Sequence, residues 1–171
     1  MNRKTAILVG AAIAGALLLA GSGRAEEKEG PGVDWKALQA AKVSLEKGLA
    51  AAQQKGKPIS GKFEMDEGKL QLSLYTANQH KFWEVIVDHT SGKLSKTEEI
   101  KEGEDLSAAK AQSEAMAKAK KSLSSAVGKA VAANAGYRAV SVVPTLEQGK
   151  PVARVVLENA TGTKTVSESL D

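Results

Sequence analysis

The chain contains no cysteine, so neither a disulfide framework nor a lipid on an N-terminal cysteine is available, and core packing alone must hold the fold. Aromatic residues make up 4% of the chain, and it has 2 histidines, His80 and His89. No Gly-rich phosphate loop, Walker pattern, haem-attachment motif or twin-arginine pair is present. No basic stripe interleaved with aromatics is left to grip phosphates, which argues against nucleic acid as a partner.

What is present begins with a leader. MNRK carries Arg3 and Lys4, an uncharged apolar run extends from Thr5 to Gly23, and Gly23 and Ala25 flank Arg24. That sequence has the form of a signal peptide over residues 1–25, with cleavage after Ala25. Its apolar core, Ala6 to Ala20, is short for a bilayer span. A periplasmic or secreted protein is therefore expected, touching the membrane only transiently through its leader. Retention of the leader as an N-terminal anchor is the alternative. Without residues 1–25, Lys and Arg fall from 24 to 21 against 20 acids, so the net charge drops from +4 to about +1.

Residues 26–33 (EEKEGPGV) read as a flexible linker. Asp34 can cap a helix with Leu38, Ala41, Leu45, Leu49 and Ala52 on one face, ended by Gly56, Lys57 and Pro58. Three alternating segments follow: Ile59 to Met65, Leu70 to Leu74, and Phe82 to Val87. An acidic joint, residues 100–105, leads to a long Ala-rich helix reaching about Asn134. Strands are then expected over Arg138 to Val143, Pro151 to Leu157 and Lys164 to Leu170.

The halves align in order. Leu45, Leu49 and Ala52 match Leu123, Val127 and Ala130 at an offset of 78. Gly68-Lys69 matches Gly149-Lys150 at 81, and Lys81 to Asp88 matches Lys164 to Asp171 at 83. A competing register pairs VDHTSGK with LENATGTK; the first is preferred because it keeps every element in sequence. The expected fold class is α+β, with two similar units over 34–99 and 106–171. Each would be one helix packed on a three-stranded antiparallel sheet.

The ordered set of an amphipathic helix, a Gly-Lys hairpin and the strand FWEVIVD closing on a Ser-Gly-Lys turn resembles the PepSY domain family. The positions that carry the resemblance are Trp83, Val85, Val87, Asp88, Ser91, Gly92 and Lys93. The second half matches more loosely, since KTVSESLD lacks both the aromatic residue and the turn. The resemblance implies an exported, non-catalytic module of the kind found in peptidase propeptides, where it can restrain a peptidase. It brings no catalytic residues with it.

Asp88-His89-Thr90-Ser91-Gly92 is the one cluster that invites a chemical reading. Serine nucleophiles of the elbow type need glycines on both sides, which Ser91 lacks. A turn, with Asp88 accepting backbone hydrogens and Gly92 supplying positive φ, accounts for the same residues. His80 and His89 bracket one strand, too far apart to share a metal. The acids Glu98, Glu99, Glu102, Glu104 and Asp105 form a solvated run. No catalytic, cofactor-binding or metal residues are assigned. If Trp83 faces inward with Val85 and Val87, then Tyr75, Phe82 and Ile86 fall on the outer face as a candidate contact surface. Burial of that face between the units is the competing reading.

The expected function is a non-catalytic binding module engaging another exported protein, a peptidase among the candidates. The alternative is a metal or small-ligand carrier at the groove between the units.

Overall fold

The computed structural model describes residues 33–171. The leader and all of the linker before Val33 lie outside the described residues. The elements are α1 (Trp35–Ala40), α2 (Leu45–Ala52), β1 (Lys57–Asp66), β2 (Lys69–Asn78), β3 (Lys81–Val87), β4 (Leu94–Ile100), α3 (Gly103–Lys118), α4 (Leu123–Ala132), β5 (Arg138–Glu147), β6 (Lys150–Asn159) and β7 (Gly162–Ser169).

All seven strands join one antiparallel sheet in the order β4-β3-β2-β1-β5-β6-β7. This corrects the expected fold class: the described residues form a single continuous sheet with four helices, and no pair of separate three-stranded units. The physical reason lies at β1 and β5. Each would be the open edge of its own small sheet, with a row of unpaired amides. They satisfy one another instead, at Gly61↔Val142 and Lys62↔Ser141.

Three further corrections concern the elements. Leu94 to Ile100 is a strand, β4, paired with β3, although LSKTEEI reads as polar connection. Its charges suit an exposed edge, where period-two hydrophobicity is not required. Ile100 therefore ends a strand, and Gly103 already starts a helix, so most of the expected joint belongs to elements. Each expected long helix is also broken in two. The amides of Lys42 and Val43 both donate to the His89 carbonyl at 2.9 Å, and those of Lys120 and Lys121 to the Leu170 carbonyl at 2.7 and 3.0 Å. An amide committed to a strand-end carbonyl is lost to the helix ladder, so the helix stops and restarts. Ser44 and Ser122 cap the restarts, accepting from the amides of Lys47 and Ser125.

The strand offset between the halves is 81 throughout. Leu74↔Val85 corresponds to Val155↔Val166, and the bulge after Pro58 corresponds to the bulge after Ala139. The offset of 83 expected for the last strand is two residues too long, and the competing register does not occur. Gly61 and Val142 are themselves equivalent positions at this offset, so the central pair lies on a pseudo-twofold axis.

One sheet face carries Leu72, Leu74, Val85, Val87, Val142 and Val155, all buried. Helices α2 and α4 pack over it and against each other. A Cβ on Gly61 would approach the Leu74 Cδ1 to 2.6 Å, with Leu45 and Leu49 just beyond; the glycine lets α2 sit close where the halves join. Leu49 and Val127 are fully buried, each contributing roughly 2 kcal/mol by leaving water.

Two reciprocal contacts cross the axis. The Arg138 guanidinium, at the start of β5, donates to the carbonyls of Leu38 at 2.6 Å and Ala41 at 3.1 Å in α1 and its cap. Lys57, at the start of β1, donates to the Met116 carbonyl in α3 at 2.6 Å. These carbonyls end helical segments, where cations are favoured. Arg138→Ala is expected to destabilise the protein by about 2 kcal/mol, the scale of buried hydrogen bonds to a charged group. Urea unfolding should show this as a lower midpoint of a single transition.

Candidate functional site

Asp88 and its neighbours form the reversal between β3 and β4. Asp88 Oδ1 accepts from the amides of Thr90 at 3.0 Å and Ser91 at 2.6 Å. The Gly92 amide donates to the Asp88 carbonyl at 2.8 Å, with Gly92 at φ 77°. The Ser91 amide above all, with the Thr90 amide, holds the Asp88 carboxyl below its ordinary range. Its stabilising effect is therefore present above the ordinary carboxylate pKa and is lost as pH falls through the depressed value. Ser91 Oγ accepts from the Lys93 amide at 3.4 Å, and its hydroxyl bonds the Asp88 carboxyl, adding to the lowering of that group. The His89 carbonyl seats the α1–α2 break, while its Nδ1 is buried with no hydrogen-bond partner. His80 lies in the β2–β3 turn at φ 69°. Among the described residues, no group of three or more His, Cys, Asp or Glu could hold a metal ion.

Trp83, Val85 and Val87 share the face packed by α2, with Trp83 half-buried and Lys81 Nζ 5.9 Å from its ring centre. Tyr75, Phe82 and Ile86 lie on the opposite face. Tyr75 is only 6% exposed and Phe82 8%, and Ile86 is half-buried. The first half of α3 crosses this face, so Tyr75 offers no open surface. Two acids of the run are partnered within or beside β4: Glu98 with Lys96 at 2.9 Å, and Glu99 with Lys81 at 3.3 Å and Lys101 at 3.6 Å.

Beneath α3 lies a cavity of about 150 Å³ lined by Ser60, Lys62, Tyr75, Asp105, Gln112 and Ser141 among others. Ser60 Oγ donates to Gln112 Oε1 at 2.7 Å, tying β1 to the helix. Lys62 pairs with Glu64 at 2.6 Å, Ser73 donates to the same carboxylate at 2.6 Å, and the Tyr75 hydroxyl donates to Glu84 at 3.1 Å. Burial first, then the charges of Glu84 and Glu64, pushes the Tyr75 hydroxyl far above its ordinary range, so it stays a neutral donor. Burial likewise raises Glu84, opposed by the Tyr75 bond. Asp105 is also raised by burial, opposed by Lys62. This network was not legible as a site because Ser60, Lys62 and Glu64 alternate with apolar residues, the pattern of a solvent-facing side. The buried Tyr75 among them is the signal that something covers that face.

The two sheet edges differ. On β4, Lys96, Glu98 and Glu99 crowd the strand, and its register with β3 shifts between Ile86 and Val87. On β7, pairing with β6 runs unbroken from Asn159↔Gly162 to Val152↔Ser169. Its charged residues are Lys164 and Glu168. Lys164 Nζ stands 4.7 Å from the Tyr137 ring centre, and Glu168 accepts from Lys129 at 2.6 Å. The Leu170 amide donates to the Pro151 carbonyl. Even-numbered residues of β7 therefore bond back to β6, and Thr163, Thr165, Ser167 and Ser169 turn their amides and carbonyls outward.

No protein-family model matches this chain, and no curated protein matches it. Among solved structures, the chain is similar to a crystal structure of a candidate lipoprotein from Clostridium difficile 630. Identity is 13%, the match covers 79% of this chain and 91% of that one, and the TM-score is 0.43.

Glu84 generates a pH prediction. Its raised pKa means the folded chain holds the proton longer than the unfolded chain, so stability falls as pH rises from 4.5 through the raised value. Glu84→Gln keeps an acceptor for Tyr75 and removes the charge. Urea midpoints of the variant and parent should converge near pH 4 and separate at pH 7, with the variant the more stable.

Proposed function

We propose that the protein is an exported, non-catalytic binding module that captures an extended segment of another exported protein by strand addition. The observation that carries this reading is the β7 edge: eight residues in unbroken register, with four outward amide and carbonyl positions and no charge crowding. An added strand gains main-chain hydrogen bonds along that edge, and alternate side chains set selectivity. The leader-like residues 1–25 support export, and the resemblance of the Trp83 to Lys93 segment to the PepSY family supports a peptidase as one candidate partner. Capture would act sterically, occupying a segment the partner needs elsewhere.

A second reading, a small-ligand carrier, is favoured by the cavity beneath α3, where Lys62, Asp105 and Gln112 converge. Its volume is below the usual range of ligand pockets, which makes it the weaker reading. As a metal carrier, the protein would show heat on calorimetric titration with Ca²⁺, Zn²⁺ or Cu²⁺.

Strand addition is tested by photo-crosslinking in the cells that make the protein. A crosslinking side chain at Ser167 should yield a discrete adduct that Thr165→Pro abolishes, because proline removes an outward donor while leaving the β6 ladder intact. The same side chain at Thr97 in β4 should yield none. Adducts that are equal at both edges, or insensitive to Thr165→Pro, would overturn the reading.

A further inference from the structure

We infer that the strand best matched to β7 is the β7 of a second copy of this chain, antiparallel and centred on Val166. This inference rests on the strand-addition reading above and names a partner for that same edge. Centring two copies on Val166 sets Val166 against Val166, Thr165 against Ser167, and Lys164 against Glu168 of the second copy, the last two twice over. Lys164 and Glu168 are the charged residues of β7, so every charge on the strand meets its opposite and none meets its like. Opposite charges facing across a ladder are favourable, and like charges are not.

Other alignments lose this match. Parallel in-register pairing sets lysine against lysine and glutamate against glutamate. A one-residue slip turns every β7 side chain of the second copy to the other face and separates the lysine from the glutamate. The antiparallel register also suits the backbone. Thr163, Thr165, Ser167 and Ser169 turn their hydrogen-bonding groups outward, so they form the hydrogen-bonded pairs. Lys164, Val166 and Glu168 then occupy the non-bonded pairs, where side chains approach most closely. The molecule already contains such a joint, since β1 and β5, equivalent strands, pair antiparallel about Gly61 and Val142.

β4 does not offer the same fit. Centring it on Thr97 also sets Lys96 against Glu98, which already pair within the strand at 2.9 Å, much as Glu168 of β7 already meets Lys129, so the difference lies in the remaining acid and the backbone. Glu99 would meet only Ser95, and the register shift after Ile86 twists that edge away.

The chain has no cysteine, which makes a background-free test available in the protein as recovered from its cells. Val166→Cys should form a covalent dimer on mild oxidation, because the two central residues face each other across a non-bonded pair. Thr97→Cys should remain monomeric. Sedimentation of the cysteine-free protein should show a concentration-dependent dimer, and Thr165→Pro should abolish it with the far-ultraviolet circular dichroism unchanged. Lys164→Glu should weaken dimerisation at least tenfold, and adding Glu168→Lys to it should recover most of that loss. A protein that stays monomeric at every concentration, or a Thr97→Cys dimer forming as readily as the Val166→Cys one, would overturn the inference. Monomeric protein whose Ser167 adduct with a different chain is still lost on Thr165→Pro would leave strand addition standing and self-pairing refuted. Should Thr165→Pro alter neither the adduct nor the sedimentation, both fall together.

Discussion

Gly61 faces Val142 at the middle of the sheet, and the joint there is short. The hairpins on either side are paired along most of their length, whereas β1 and β5 meet at two residue pairs, each strand carrying a bulge beside the meeting point. So brief a ladder would be a weak seam alone. It holds because the absent side chain of Gly61 lets α2 settle over it. It also holds because α2 and α4 pack together across the axis and because Arg138 and Lys57 each reach from one half to the carbonyls of the other. Those contacts turn two marginal half-sheets into one body with a common core, in a chain that has no disulfide to do the same.

The same arrangement decides what is left for function. Joining β1 to β5 removes two strand edges and leaves two, and the outer edges are unlike. β4 is blunted by a run of charge and a register shift; β7 is regular and carries one charge of each sign, Lys164 and Glu168. The crossing of α3 over the second face closes the surface around Tyr75 and leaves a small cavity beneath the helix in its place. The binding proposed for this protein is therefore main-chain pairing at an edge more than the filling of a pocket.

How much of this was legible in the sequence follows from the range of each signal. Period-two alternation at Leu70 to Leu74 and Phe82 to Val87 located strands, and the matching Leu45 and Leu123 faces located the buried sides of α2 and α4. Asp88 and Gly92 read as a turn from their own backbone preferences. The breaks at Lys42 and Lys120 were not legible, because the competing acceptors, the carbonyls of His89 and Leu170, lie far along the chain. β4 was missed because an exposed edge strand has no need of hydrophobic alternation. The fusion of the halves was missed for a deeper reason: nothing local distinguishes a strand that ends a sheet from one that continues into a neighbour. Of the candidate contact residues, Tyr75 lies beneath α3, and the Ala-rich first half of that helix gave no sign that it would cover it.

Native-state hydrogen exchange across the sheet tests the central claim most directly. If the Gly61–Val142 joint makes one cooperative body, the slowest amides of β2 and of β6 should exchange through the same global opening, with equal free energies and equal sensitivity to urea. Two distinct opening energies, one for each side of the joint, would show that the halves fold as separate units and would contradict the account.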